Sequence, residues 1–138
     1  MKYVHVGINV TNLEKSIDFY QKVFGIKPVK TKNDYAKFLL EEVRLNFTLN
    51  VKNEVKGNQV SHFGFQVQNA EEVIFHKERL EKEGFFAREE MNTTCCYALQ
   101  DKFWVTDPDG NEWEFFYTKE DSEIKQVEGD ICCVGEKN

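Results

Sequence analysis

No stretch of this 138-residue chain approaches the roughly 20 apolar residues needed to cross a bilayer, and the mean hydropathy is −0.58. The opening MKYVHVGINV lacks the basic region, apolar segment and small-residue cleavage site of a secretory signal. A cytoplasmic location and no membrane partner are therefore expected. A basic excess is also missing. Lys and Arg number 18 against 24 Asp and Glu, for a net charge of −6, and without segregated basic residues this balance repels phosphate backbones, so no nucleic-acid partner is expected. The length leaves no room for a second large catalytic domain. A disulfide framework is absent too: the four cysteines form two adjacent pairs, Cys95-Cys96 and Cys132-Cys133, rather than spaced residues closing loops. Aromatic residues, by contrast, are plentiful. They reach 14%, with 12 Phe, more than a small core requires and compatible with an apolar-walled cavity.

Periodicity organises the first part of the chain. Residues 3–10 (YVHVGINV) alternate, with Val4, Val6, Ile8 and Val10 on one face and His5, Gly7 and Asn9 on the other. Thr11 to Glu14 reads as a capping box with Thr11 as N-cap, opening a helix whose apolar stripe is Leu13, Ile17, Tyr20 and Phe24 and whose stop is Gly25. Strands are expected at about 26–32, 35–40 and 43–51.

The pattern then recurs. His62, Gly64, Phe65 and Val67 in VSHFGFQV follow His5, Gly7, Ile8 and Val10 by 57 residues. Asn69 and Glu72 repeat the capping pair at 58, and Gly84 repeats Gly25 at 59. Strands are expected at about 85–90, 96–99, 102–106 and 112–118, the last preceded by the turn Asp107-Pro108-Asp109-Gly110-Asn111. The fold class is α+β: two βαβββ units, 1–52 and 60–118, joined by a linker at 53–59. A half this small cannot bury the non-helical face of its sheet alone, so the two sheets are expected to enclose a metal cavity. From 119 to 138 the pattern stops in an acidic, cysteine-bearing tail with six acids and three bases.

Of three histidines, His5 and His62 occupy equivalent points of the repeat and are expected to converge. In NEWEFFY, Glu112, Glu114 and Phe116 share one face, while Trp113, Phe115 and Tyr117 form an aromatic face suited to packing on a helix. A carboxylate on the cavity face is costly unless paired or cation-bound. Two imidazoles and one carboxylate form the facial set of non-haem iron(II), with positions open to substrate and O₂. Parity does not separate Glu112 from Glu114, although Glu112 lies nearer the turn. His76, on the margin of the second helix stripe, reads as structural. Cys95-Cys96 follows the polar triplet Asn92-Thr93-Thr94. Adjacent strand residues point to opposite faces, so both thiols grip one atom only where a loop or bulge interrupts the strand. The pair suits a soft, thiophilic atom; buried inert thiols are the alternative. Cys132-Cys133 reads equally as a second soft-metal collector or as two exposed thiols.

These repeated units, with His5, His62 and Glu114, resemble the vicinal oxygen chelate superfamily, which includes glyoxalase I, bleomycin and fosfomycin resistance proteins and extradiol dioxygenases. More narrowly, NTTCCYALQDKFWVTDPDGNEWEFF (92–116) resembles the organoarsenical carbon–arsenic lyases, a group that includes cadmium-induced and glyoxalase-like proteins. The likeness spans about residues 1–118. It implies the glyoxalase/bleomycin resistance/dioxygenase fold and an Fe(II)- and O₂-dependent cleavage of the C–As bond of trivalent organoarsenicals such as methylarsenite, releasing arsenite. It implies His5, His62 and Glu114 as catalytic metal ligands, Cys95 and Cys96 as the arsenic-binding pair, and Cys132 and Cys133 as accessory thiols, with Tyr97 and Phe103 expected on the cavity wall. Asn46, near the repeat equivalent of Glu114, stands where glyoxalases carry a fourth ligand and favours an open three-ligand site. Ni or Zn is a candidate substituting metal, and monomer and homodimer both remain open. Two alternatives accompany this reading: a metal-dependent glyoxalase or fosfomycin-resistance-type thiol transferase or lyase, and a non-enzymatic protein that sequesters Cd or As.

Overall fold

The computed structural model describes residues 1–57, 60–95 and 98–121, with the backbone alone described for 92–95, 98 and 120–121. Residues divide into two units, Met1–Gly57 with Asp107–Gly110, and the described residues of 58–106 and 111–138. Residues Asp107–Gly110 of the turn expected before the last strand of the second unit therefore belong by their contacts to the first. Among the described residues no helix is long and apolar enough to cross a membrane.

In the first unit, β1 (Val4–Val10), α1 (Leu13–Phe24), β2 (Lys30–Lys32), β3 (Tyr35–Leu40) and β4 (Leu45–Val51) form a four-stranded sheet of order β1-β4-β3-β2 with one helix. Strand β1 lies parallel to β4, and β3 is antiparallel to both neighbours. Ala36, Phe38 and Leu40 alternate inward along β3 and, with Phe47 and Leu49 of β4, form the helix-facing side. Phe38 and Phe47 meet Phe24 edge-on at 5.5 and 5.2 Å, and Tyr20 meets Phe47 at 4.9 Å. Each such fully buried side chain contributes about 1.5–3 kcal/mol over leaving it in water. The buried face of α1 is Ser16, Phe19, Tyr20 and Val23. Of the expected stripe only Tyr20 is on it; Leu13, Ile17 and Phe24 flank it, half-buried.

The N-cap of α1 is Asn12, not Thr11: Asn12 Oδ1 accepts from Lys15 N at 2.9 Å. Thr11 is engaged elsewhere. Its N–H and hydroxyl donate to the two Asp109 carboxylate oxygens at 3.2 and 2.7 Å. In the same turn Asp107 accepts from the buried Tyr20 hydroxyl at 2.6 Å.

The second unit comprises β5 (Phe63–Gln66), α2 (Ala70–Lys82), β6 (Arg88–Cys95), β7 (Ala98–Thr106) and β8 (Glu112–Asp121), in sheet order β5-β8-β7-β6. Asn69 caps α2 by accepting from Glu72 N at 2.8 Å, and Glu72 Oε1 accepts from Gln68 N at 2.9 Å. With caps at Asn12 and Asn69, the offset from strand to cap is 57 throughout, and the drift read from Thr11 disappears. Of the strand expected at 96–99, residues 96–97 lie outside the described residues; residues 98–99 and the strand expected at 102–106 belong to one strand, β7. Its polar middle is not a turn, because Asp101 and Lys102 are buried and ion-paired, with Lys119 at 3.2 Å and Glu114 at 3.4 Å. Strand β8 continues three residues past 118, into the segment expected to be tail.

Candidate metal-binding residues

In the second unit, β5 runs parallel to β8 with Gly64 opposite Glu114. His62 immediately precedes β5, and its Nε2 lies 3.2 Å from Glu114 Oε2. On the same sheet face, β7 sets Trp104 opposite Glu114. The Trp104 ring meets His62 edge-on at 5.2 Å, and Lys102 Nζ stands 3.4 Å from Glu114 Oε1. These groups are well shielded: Glu114 is 7% exposed, Lys102 and Trp104 1% each. Ser61 Oγ completes the surroundings of His62, 2.9 Å from Nδ1.

Glu112 is engaged elsewhere. Its Oε2 accepts from Thr106 Oγ1 at 3.2 Å and its Oε1 lies 3.7 Å from Arg88. Position explains the difference: Glu112 opens β8 beside the turn, whereas Glu114, two residues on, lies over Gly64 and reaches His62. His76 stacks on Phe115 at 4.8 Å and accepts from Arg79 Nε at 2.9 Å, a structural role on the helix side.

In the first unit, β1 sets His5 opposite Asn46 and Gly7 opposite Thr48. His5 Nδ1 lies 3.1 Å from the Asn46 carbonyl oxygen. A carbonyl only accepts, so Nδ1 carries the ring proton and Nε2 keeps its lone pair. Because Gly7 faces Thr48 as Gly64 faces Glu114, Thr48 rather than Asn46 is the structural counterpart of Glu114. Its hydroxyl is a weaker cation donor than a carboxylate.

The donor set fits a divalent cation. The buried Glu114 carboxylate has Lys102 Nζ 3.4 Å from Oε1 and His62 Nε2 3.2 Å from Oε2, and an imidazole beside a carboxylate is a nitrogen and oxygen donor pair that a divalent cation accepts. A Cβ on Gly64 would stand 2.6 Å from Glu114 Cγ, so the missing side chain is what makes room for the carboxylate. Among the described residues no group of three or more His, Cys, Asp or Glu stands together as a ready metal shell. His62 and Glu114 are brought together within the second unit, and His5 is positioned within the first.

Phe103, expected on the cavity wall, stands on the opposite side of its sheet. It pairs with Phe115 in register and stacks on it at 5.0 Å, and Phe115 in turn stacks on His76 of α2. Parity along β7 puts Trp104 on the Glu114 face instead. Neither Lys102 nor Trp104 was singled out from sequence, although their shared parity with Glu114 across one antiparallel pair was the available signal. Cys95 ends β6 opposite Ala98, downstream of an irregularity between Glu90 and Thr93. Cys96, Tyr97, Cys132 and Cys133, and the Cys95 side chain, lie outside the described residues.

Residues 2–115 match the profile of the Glyoxalase/Bleomycin resistance protein/Dioxygenase superfamily. The chain is 75% identical over 134 residues to the probable trivalent organoarsenical cleaving enzyme of Bacillus subtilis (strain 168), covering 97% of this chain and 92% of that protein. It is 65% identical over 139 residues to the trivalent organoarsenical cleaving enzyme of Bacillus sp. (strain MD1), covering 100% and 86%. Among solved structures, an integron cassette protein from the Halifax Harbour sewage outfall metagenome shares the fold, with TM-score 0.68 at 24% identity over 83% of this chain and 97% of that one. Two four-stranded sheets, each with one helix, and a near full-length likeness to such relatives lead to one conclusion: the chain belongs to the Glyoxalase/Bleomycin resistance protein/Dioxygenase superfamily.

Proposed function

We propose that the protein cleaves the carbon–arsenic bond of trivalent organoarsenicals, methylarsenite among them, with His5, His62 and Glu114 as ligands of Fe(II). The observation that carries this reading is the 65–75% identity, over nearly the whole chain, to relatives named for organoarsenical cleavage. The buried Glu114 carboxylate, with His62 Nε2 3.2 Å from its Oε2, supports the metal component. Iron, when bound, supplies the O₂ chemistry that side chains lack. Overall, methylarsenite and one O₂ become arsenite and formaldehyde, which balances all atoms.

The chain's own residues bind and orient. The Cys95 and Cys96 thiolates hold As(III), a soft atom, and fix the direction of its organic substituent. The Asn46 carbonyl fixes the His5 tautomer, and Lys102 holds a positive charge beside Glu114. Trp104 covers the Glu114 side of the sheet and keeps water from it.

Anaerobic reconstitution with Fe(II), followed by measurement of arsenite released from methylarsenite with and without O₂, tests the proposal. Release that needs both iron and O₂ is expected. Release unaffected by withholding either overturns the iron and O₂ requirement, and tight methylarsenite binding without any release would favour a sequestering protein.

A further inference from the structure

We propose that Lys37, with Lys30 beside it, is a specificity-determining residue that receives a carboxylate carried on the organic group of the arsenical. The inference rests on the cleavage reading above and names the class of organic group that the site favours. It starts from strand register. In the first unit β1, β4, β3 and β2 lie side by side, and the pairings Gly7–Thr48, Thr48–Lys37 and Lys37–Lys30 run in one row across them. Paired residues share a face, so this row lies on the side of the sheet that carries His5, two residues before Gly7. The next row, Asn9–Asn50–Tyr35–Lys32, adds a third ammonium and a phenol to the same face. None of the four strands puts a carboxylate there, although acids outnumber bases 24 to 18 in the whole chain.

Two features separate Lys37 from an ordinary surface lysine. Like charges directly opposite in a strand pair are destabilising, and Lys37 faces Lys30 across β3 and β2. An anion received between the two ammoniums turns that repulsion into attraction. Lysines on an edge strand deter pairing with another chain, which accounts for Lys30 and Lys32 on β2. That reason does not extend to Lys37, half-buried on β3 with a strand on either side. Its place also suits the chemistry. With neighbouring strands about 4.8 Å apart, β3 lies roughly 10 Å from β1. An aryl group with a carboxylate at its far end and the flexible lysine stem cover that span together. A methyl group reaches none of it, so the preference belongs to larger substituents. Tyr35 and Leu39, half-buried on either side of Lys37 along β3, offer apolar surface to the ring.

The test uses the full chain with phenylarsenite and para-carboxyphenylarsenite, in buffer without added thiol. Calorimetry measures the affinity for each, and arsenite release is followed with Fe(II) and O₂. The wild type is expected to bind the carboxylated compound about tenfold more tightly than phenylarsenite. Lys37→Gln is expected to abolish that preference by weakening only the carboxylated compound, and Lys37→Arg to keep the preference within about threefold of wild type. The urea midpoint of Lys37→Gln should not fall, because a repulsion is removed. Equal affinity of the wild type for the two compounds, or a preference that survives in Lys37→Gln, overturns the proposal. A Lys37-dependent preference in binding, with no arsenite released from either compound, sinks the cleavage reading instead and upholds Lys37 as the carboxylate-binding residue.

Discussion

Gly64 lies flat against Glu114: a Cβ added to Gly64 would stand 2.6 Å from Glu114 Cγ and 2.8 Å from the Glu114 carbonyl oxygen. The two residues face each other across parallel strands β5 and β8. Cγ could turn away from an added methyl, but a backbone oxygen in a paired strand cannot. Gly64→Ala should therefore shift β8 and spoil the approach of Glu114 to His62, lowering Zn(II) affinity by about tenfold or more. Calorimetric titration measures this. Gly7→Ala, which would meet two side-chain atoms, the rotatable Thr48 hydroxyl at 2.9 Å and Asn50 Nδ2 at 3.5 Å, should have the smaller effect.

Lys102 and Glu114 form an ion pair almost wholly removed from water. Lys102→Met keeps most of the volume and deletes the ammonium, leaving Glu114 with less compensation; a loss of about 3 kcal/mol is expected for the metal-free protein. A bound cation restores positive charge beside the carboxylate. Urea unfolding with and without Zn(II) should thus show a larger stabilisation by metal in Lys102→Met than in wild type, and an equal or smaller increment would contradict this role.

Tyr20→Phe removes the hydroxyl that donates to Asp107 at 2.6 Å, between residues 0% and 4% exposed. Loss of a buried hydrogen bond to a charged acceptor is expected to cost about 2 kcal/mol. The urea midpoint reads the change. An effect within a few tenths of a kcal/mol would mean that Asp107 is held by its other neighbours.

The two thiol pairs should separate kinetically. Serine at both Cys95 and Cys96 is expected to abolish arsenite release, since arsenic would no longer be held beside the metal. Serine at both Cys132 and Cys133, which lie in sequence beyond the repeated pattern, should raise the methylarsenite concentration for half-maximal rate and leave the saturated rate within about threefold. Steady-state rates at one O₂ concentration compare them. Equal loss in both variants would make the tail part of the catalytic apparatus.

The α+β organisation was legible because its signals are local and periodic. Alternation over 3–10, the recurrence 57 residues on, and the cap residues Asn69 and Glu72 each follow from short-range backbone chemistry. Local signals also misled where a tertiary partner competed for the same group. Thr11 reads as a cap until Asp109, 98 residues away, takes both its N–H and its hydroxyl. Gln100 and Asp101 read as a break between strands until Lys119 pairs with Asp101, and Glu114 with the adjoining Lys102, inside a continuous β7.

Sequence alone determined the repeat, the residue types of the candidate site and the choice of face at His5, His62 and Glu114, because side-chain direction in a strand follows from parity. Strand pairing decided the rest. Glu112 and Glu114 have the same parity, and only the register of β8 against β5 sets one over Gly64 and toward His62 while the other meets Thr106 and Arg88. Phe103 and Trp104 are adjacent aromatics, and the register of β7 against β8, with α2 packed on the Phe115 side, sets Trp104 on the face of Glu114 and Phe103 on the other. Register and layer are set by the summed burial and hydrogen bonding of whole strands, a property that no single residue or short window carries.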